Sequence, residues 1–502
     1  MPEFELDPWD CHLDFKVESD GLTATAMHED GFQYLWKGGR TNMGINGGIY
    51  MFECKILKDL VVKMPETGKP TRSILRVGYS QPLTSLFLGD TAESWGFGGT
   101  GKKSHNNEFK DFGQKFGAGD VMGVVMDFDD MQISYTKNGE FLGVCYTNLP
   151  KSCKELGMFP HLFLKNVKVQ CNFSRENRWF DTPGPDIKFL NEAPDKHCVE
   201  NPVDHPESRD ECEFIQMVGL PACGKTYWAQ KHMQRHPRKS YLLLGTNAVI
   251  DQMKVMGLNR QRAYAERWQE LITQATPVFN KMVDLAAKTP RNFILDQTNV
   301  FPKARERKLK NFMSFGTRKC ICIVNDDETL EHRTQKTQRE EGKHVPEHVV
   351  WDMKAAFKAP SEREGFTVID WAEMPEQDSK EQIEWCNKQG ADFKRRNPGK
   401  GKGGKPKPKL QDRRADTVGH STKGWEEVDN KRGGRRDRSR SPRRNNSWGG
   451  GGDDSWDRGG RGRGSKGGGR SSWDDGWDRG GYKGGGRSSW DDGWGGRGRD
   501  RW

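Results

Sequence analysis

The sequence of 502 residues predicts a multidomain protein: an all-β sandwich, then an α/β domain with a parallel sheet, then a disordered basic tail. Three observations predict these parts. Short alternating segments and glycine-rich turns fill the first 178 residues. An apolar strand then leads directly into a phosphate-loop motif at residue 219. Beyond residue 390, glycine, arginine and tryptophan replace the aliphatic residues that a hydrophobic core requires.

The charge distribution separates the tail from the rest of the chain. Residues 391–502 contain 30 Lys and Arg and 16 Asp and Glu, a net charge of +14 within a total of +10. The first 390 residues therefore carry a net charge of −4. Such a tail cannot bury enough apolar surface to offset the entropy of ordering, and a basic disordered segment is typical of polyanion binding.

The cysteines and the hydropathy exclude two classes of protein. All 11 cysteines precede residue 391 without regular spacing, which favours free thiols in a reducing compartment. No run of about 18 apolar residues occurs, and the acidic segment Met1–Asp10 lacks an apolar core. We therefore expect neither a membrane span nor a secretory signal.

Residues 10–178 have the pattern of a β-sandwich. Ile49–Ile56 alternates apolar and polar residues, as a half-buried strand does. Asn138-Gly139 lies between two β-type segments and supplies the two positive φ angles of a tight hairpin turn. Many short strands without a long helical period predict two packed sheets.

Four segments of this region resemble a SPRY domain in their order and spacing: Arg76–Ser80, Ser94–His105, Phe116–Gly123 and Tyr135–Gly139. The resemblance implies a sandwich that binds a protein or peptide through its loops and that has no catalytic activity. Within it, core packing is favoured for Trp95 and a solvated loop for His105, so no binding residue is assigned here.

Residues 179–211 are rich in Pro, Asp, Glu and His without periodicity, and they are interpreted as a linker. Strand-like and helical segments then alternate over residues 212–375. This alternation predicts a parallel sheet with helices on both faces, and the ligand of such a sheet lies at the carboxyl ends of its strands. A break at Pro277 is expected in the helix over residues 262–288.

The phosphate-loop motif is Gly219-Leu-Pro-Ala-Cys-Gly-Lys-Thr226, preceded by the apolar run Phe214–Val218. In this context the predicted nucleotide-binding residues include Gly219, Cys223, Gly224, Lys225 and Thr226. Backbone N–H groups and a helix N-terminus would hold the phosphates of ATP, with Lys225 at the β and γ oxygens. The Thr226 hydroxyl would coordinate Mg²⁺. The alternative is a plain glycine turn between strand and helix.

Two further segments complete the predicted nucleotide site. Phe293-Ile-Leu-Asp296 is a strand that ends in a carboxylate, which predicts a second group for the Mg²⁺ shell opposite Thr226. Arg333, Lys336 and Arg339 recur at three-residue spacing on one helix. They form either a lid over the phosphates or a solvated charged face, and Arg339 is the residue predicted to act if only one does.

Asp296-Gln-Thr-Asn299 resembles the Asp-x-Thr-Asn motif of polynucleotide-kinase-like P-loop proteins. In the kinases that this domain resembles, an Asp after the second strand is the base for the attacking hydroxyl. Asn247 occupies that position here, and an amide cannot accept the proton. Asp251 would substitute only with a shift of register. The hypothesis is therefore ATP binding without an assigned catalytic residue, and 5′-polynucleotide kinase activity is the alternative.

The tail combines arginine with aromatic residues. Gly469-Arg-Ser-Ser-Trp-Asp-Asp-Gly-Trp477 recurs as Gly486–Trp494 among Arg-Gly units. Arginine contacts phosphates, and each Trp offers a stacking face for an unpaired base, worth roughly 1–3 kcal/mol. The pattern predicts binding of single-stranded RNA, with self-association of the tail as the alternative. The residues predicted to contact RNA are Arg461, Arg463, Arg470, Trp473, Trp477, Arg487, Trp490 and Trp494.

The whole arrangement resembles the heterogeneous nuclear ribonucleoprotein U and U-like family. The resemblance implies a nuclear protein that binds pre-mRNA, acts in splicing and other processing, and also contacts DNA in chromatin. Members commonly begin with a helical SAP module for DNA, whereas this sequence starts almost directly at the sandwich. Scaffold-type DNA attachment is therefore not expected. A scaffold that recruits a protein partner through its SPRY domain is a further alternative.

Overall fold

The N-terminal part of the protein is a sandwich of two antiparallel sheets. A computed structural model describes residues 3–63, 73–253, 268–341 and 345–397. The elements of the sandwich are β1 (Leu6–Cys11), β2 (Phe15–Val17), β3 (Thr23–Ala26), β4 (Lys37–Thr41), β5 (Met43–Ile45), β6 (Ile49–Asp59), β7 (Ile74–Ser80), β8 (Ser94–Gly98), β9 (Lys102–His105), β10 (Glu108–Asp111), β11 (Val121–Asp127), β12 (Gln132–Lys137), β13 (Glu140–Tyr146), α1 (Ser152–Leu156), β14 (Phe159–Lys165) and β15 (Val167–Asn172).

The order of strands in each sheet confirms the predicted sandwich. One sheet has the order β1-β4-β14-β7-β8-β9-β10, and the other contains β13-β12-β11-β6-β15-β3-β2. β12 and β13 form the predicted hairpin, with φ of 51° at Asn138 and 82° at Gly139. Trp95 is buried, as core packing requires. The solvated loop expected for His105 is wrong, because His105 ends β9, is half-buried and stacks on Trp95.

The segment interpreted as a linker lies against the sandwich. Its short strands β16 (Lys188–Phe189) and β17 (Cys198–Glu200) pair with β6 and β5. Glu53 on β6 accepts hydrogen bonds from the backbone N–H groups of Trp179 and Phe180 at 2.9 and 3.0 Å. The second face of β6 is thereby covered, so Met51 is buried as fully as the alternating residues Tyr50 and Phe52.

The following domain is built on a five-stranded parallel sheet, as predicted. Its elements are β18 (Glu213–Val218), α2 (Lys225–Arg235), β19 (Leu242–Leu244), α3 (Thr246–Met253), α4 (Trp268–Ala286), β20 (Phe293–Leu295), α5 (Pro302–Leu309), β21 (Thr317–Cys322), α6 (Asp327–Glu341), α7 (Glu347–Ala356), β22 (Val368–Trp371) and α8 (Glu376–Arg396). The strand order is β19-β20-β18-β21-β22. All three residues of β20 are apolar and buried, which is the pattern of a strand covered by helices on both faces.

Two helices differ from the expectation. The break expected at Pro277 is wrong, because α4 continues through this residue. Ala275 and Val278 are buried on either side of the proline, within the hydrophobic cluster that α4 shares with the sheet and the sandwich. Helix α8 was not predicted, and it carries the ordered chain past residue 375 into the basic segment. Its buried Ile383 and Cys386 belong to the core of the nucleotide domain.

The sandwich and the α/β domain share a hydrophobic core within one compact unit. Leu13, Phe32 and Leu35 of the sandwich belong to the same buried cluster as Phe279 of α4. Polar contacts complete the interface: the Trp36 N–H donates to the Gln252 carbonyl at 2.8 Å, and the Arg291 guanidinium donates to the Cys11 carbonyl at 2.7 Å.

Candidate nucleotide-binding site

The phosphate loop connects the central strand β18 to α2 through a backbone that needs glycine. Gly219 has a φ of 154° and Gly224 a φ of 109°. A Cβ at Gly219 would lie 2.5 Å from the Ile323 carbonyl oxygen, and one at Gly224 would lie 2.8 Å from an Arg333 nitrogen. The loop therefore has both the conformation and the close packing that explain its two fixed glycines.

Three side chains meet where the loop joins the sheet. The Thr226 hydroxyl donates to Asp296 Oδ2 at 2.5 Å, so the carboxylate after β20 lies opposite the hydroxyl at the start of α2. Lys225 is 8% exposed, and its Nζ donates to the Leu220 carbonyl at 2.6 Å. A hydroxyl, a carboxylate and an ammonium group at a helix N-terminus are the groups that a Mg²⁺-bound polyphosphate requires.

Cys223 lies inside the phosphate loop as a packing residue. Its Sγ would lie 2.6 Å from a Cβ at Gly219, and it is 1% exposed. Burial raises the pKa of the Cys223 thiol, although the Lys225 ammonium acts against the shift. The thiol therefore stays neutral, and the contribution of Cys223 to the loop is its volume and its backbone.

The segment after Asp296 fastens the loop to the neighbouring strand and helix. The Gly219 N–H donates to the Thr298 carbonyl at 2.9 Å, and the Asn299 amide donates to the Met217 carbonyl at 2.8 Å. Lys308 on α5 was not singled out from the sequence. Its Nζ donates to the side-chain oxygens of Gln297 at 2.6 Å and of Asn299 at 2.8 Å.

Lys308 is a cation held mainly by neutral oxygens. Burial lowers the pKa of Lys308 to about 7, and the charge of Arg307 acts in the same direction. No sequence signal distinguished this lysine from the other basic residues of α5, because its role depends on the loop that the fold brings against it.

The arginine that contacts the phosphate loop is Arg333 of α6. Its Nη1 donates to the Cys223 carbonyl at 2.7 Å, and both Nη atoms donate to the Glu373 carboxylate at 3.0 Å. Arg339 lies further along the same helix and is exposed. Glu373 was not identified from the sequence, since nothing in its local pattern marks it as the partner of an arginine on α6.

Asn247 lies in the first turn of α3, directly after β19. Gly245 precedes it, and a Cβ at Gly245 would lie 2.7 Å from the Asp296 carbonyl oxygen, so the chain passes close to the predicted metal group. Asp251 lies one turn further along α3. At the sequence position expected for a kinase base, the side chain is therefore an amide.

The predicted RNA-contacting residues, from Arg461 to Trp494, lie outside the described residues. Within the described ranges, no helix is both long enough and apolar enough to cross a membrane. The 11 cysteines are all free thiols.

Comparisons with known proteins match both folded domains. A SPRY domain model matches residues 50–176, and an AAA domain model matches residues 214–360. Heterogeneous nuclear ribonucleoprotein U-like protein 2 of Homo sapiens is 34% identical over 376 residues, which cover 74% of this chain and 50% of that protein. The chain therefore spans about half the length of this relative.

Two other similar proteins match less of the chain. ATP-dependent RNA helicase DDX1 of Xenopus laevis is 33% identical over 225 residues, which cover 45% of this chain and 27% of that protein. Among solved structures, the SPRY domain of human HERC1 is 21% identical with a TM-score of 0.27, and it covers 33% of this chain and 96% of that one.

Proposed function

We propose that this chain, whose SPRY and P-loop domains resemble those of the heterogeneous nuclear ribonucleoprotein U-like proteins, is a nuclear RNA-binding ribonucleoprotein that acts in pre-mRNA processing, including splicing. RNA is bound by the Arg/Gly/Trp-rich tail, and chromatin DNA is a second polyanion that the same tail can contact. The SPRY domain recruits a protein partner. The relatives are named as a ribonucleoprotein and an RNA helicase, and these names support RNA as the ligand class.

The P-loop domain binds ATP with Mg²⁺. Gly219, Gly224 and Lys225 hold the phosphates, while Thr226 and Asp296 hold the metal ion, which neutralises the charge of the phosphate oxygens when bound. The observation that carries this assignment is the Thr226–Asp296 contact at 2.5 Å beside a loop of the required backbone. Arg333 donates a hydrogen bond to the Cys223 carbonyl of the same loop, and its charge is paired with the Glu373 carboxylate.

Bound ATP is a ligand of this domain and not a phosphoryl donor. Asn247 at the base position cannot accept a proton from an attacking hydroxyl, and proton acceptance is what the corresponding Asp provides in the related kinases. The intact loop favours 5′-polynucleotide kinase activity as the second candidate function. The two functions differ in whether the γ-phosphate is transferred to RNA.

Crosslinking and sequencing of bound RNA tests the assignment of RNA binding to the tail. The full chain is compared with a chain that ends at Asn397, because α8 extends to Arg396 and an end at residue 390 would cut this helix. We expect the truncation to lose most of the recovered RNA. Unchanged recovery would contradict the assignment and favour a scaffold in which the tail only self-associates.

A further inference from the structure

One face of α2 presents an aromatic ring and two cations in a row. Tyr227, Lys231 and Arg235, here called the α2 stripe, are four residues apart, so they lie one above the other at intervals of about 6 Å along the helix. All three are exposed, and Tyr227 is 67% exposed although it is a large aromatic residue. The Lys231 ammonium lies 5.8 Å from the centre of the Tyr227 ring.

The charge of the stripe is not neutralised by carboxylates. No acidic residue occurs in the sequence between Glu213 and Asp251. Among the described ion pairs, none includes Lys231 or Arg235, and the hydrogen-bond partner of Lys231 is the neutral Gln234 at 3.3 Å. The site is therefore a positive surface within a folded part whose net charge is negative.

Two exposed lysines of the sandwich differ from the cations of the α2 stripe, because each of them is paired with a carboxylate. Lys102 pairs with Asp111 and Lys110 with Glu108, both at 3.1 Å. Those cations have a carboxylate at hand, as a solvated charged face usually does. Among the described residues, the cations of the α2 stripe have no such carboxylate partner, so their charge is available to an external anion.

We propose that the α2 stripe is a second contact surface for single-stranded RNA. A base stacks on Tyr227, and successive phosphates contact Lys231 and Arg235, whose spacing along the helix is comparable with that of phosphates in an extended strand. An exposed aromatic ring beside unpaired cations matches a nucleic acid, which carries both π faces and regular negative charge. The proposal deepens the RNA-binding function proposed above.

The α2 stripe begins next to the candidate nucleotide-binding site. Tyr227 lies in the first turn of α2, immediately after Lys225, which is proposed to hold the phosphates, and Thr226, which is proposed to hold the metal ion. RNA on the stripe therefore ends beside the mouth of the phosphate loop.

Ultraviolet crosslinking of the full chain to oligouridylate, followed by mapping of the crosslinked peptides, tests the proposal. We expect crosslinks in the tail and also in the peptide that contains Tyr227. Crosslinks in the tail alone overturn the proposal and leave the proposed function standing. An absence of crosslinks in both segments contradicts both.

Salt dependence measures the phosphate contacts in the same full chain. The double variant Lys231→Gln/Arg235→Gln should make the slope of log K against log [salt] shallower by about 1.4, at about 0.7 for each lost contact with a single strand. The matched control Lys102→Gln/Lys110→Gln removes the same charge and should leave the slope unchanged. Equal slopes for both double variants overturn the proposal.

The ring is tested by two substitutions of Tyr227. Tyr227→Ala should weaken oligouridylate binding about fivefold or more through lost stacking, and Tyr227→Phe should restore it because the ring is retained. Equal affinity of Tyr227→Ala and the unsubstituted chain contradicts the stacking. If the stripe instead holds the tail's own Trp-Asp-Asp segments, the double variant binds RNA more tightly, which also overturns the proposal.

Discussion

Removing single groups of the phosphate loop should separate the phosphate contacts from the metal contact. Lys225→Ala deletes an ammonium that is 8% exposed and that lies where the phosphates are expected. A hydrogen bond to a charged group contributes about 1.5–3 kcal/mol, so ATP should bind about 10- to 150-fold more weakly. This loss is expected with and without Mg²⁺, because the lysine contacts the phosphates directly.

Thr226→Ala should behave differently, because its hydroxyl faces Asp296 at 2.5 Å and its proposed ligand is the metal ion. ATP affinity should fall in the presence of Mg²⁺ and change little in its absence. Isothermal titration of the purified full chain measures both, and Lys380→Ala on α8, an exposed lysine paired with Glu376, is the control. Equal losses for Thr226→Ala in both conditions would refute the assignment of Thr226 to the metal.

Three further predictions concern stability and the tail. Leu35→Ala, at a sandwich residue that is 0% exposed in the shared core, should lower the free energy of unfolding of both domains by about 2–5 kcal/mol, whereas the exposed Val61→Ala should not. Separate thermal transitions with an unchanged nucleotide domain would contradict a shared core. Burial lowers the pKa of His12 from 6.5 to about 3, so the unfolded chain binds a proton first and the stability present above pH 6.5 is lost towards pH 3. Urea unfolding should therefore show that the free energy of unfolding lost on His12→Asn becomes smaller as the pH falls from 6.5 towards 3, by up to about 1.4 kcal/mol per pH unit. A loss that is independent of pH would contradict this prediction. Finally, RNA affinity of the full chain should fall steeply between 50 and 200 mM salt, as filter binding can measure, since phosphate contacts dominate; a flat response would exclude them.

The parts of the fold that depend on local pattern could be predicted from the sequence. The hairpin at Asn138-Gly139 and the phosphate loop at Gly219 each follow from residues within a few positions of one another. The approach of Asp296 to Thr226 followed from a topological rule, since parallel strands end at the same edge of the sheet.

The parts of the fold that depend on long-range packing could not be predicted from the sequence. Leu35 and Phe279 meet across the domain interface, and no sequence period links segments so far apart. The residues after Trp179 lacked periodicity because they pack as an extended strap and not as a helix or a long strand. The charged surface of α8 concealed the few buried residues, such as Ile383, that attach it to the core.

The residues of the candidate site also fall into two groups: those predicted from the sequence and those identified only in the structure. Lys225, Thr226 and Asp296 were identified from motif spacing. Lys308 and Arg333 needed the structure, because their partners Gln297 and the Cys223 carbonyl are brought to them by the fold. A charged helix face gives no indication of which of its arginines reaches the loop, and in the structure this residue is Arg333.

Incubating the full chain with γ-labelled ATP, Mg²⁺ and 5′-hydroxyl RNA tests most directly whether the nucleotide site binds ATP without transferring its phosphate. We predict no end-labelling above that of Lys225→Ala, while ATP binding is measurable in the same preparation. Robust end-labelling that Lys225→Ala abolishes would contradict this prediction, because it would show that phosphoryl transfer proceeds with Asn247 at the base position.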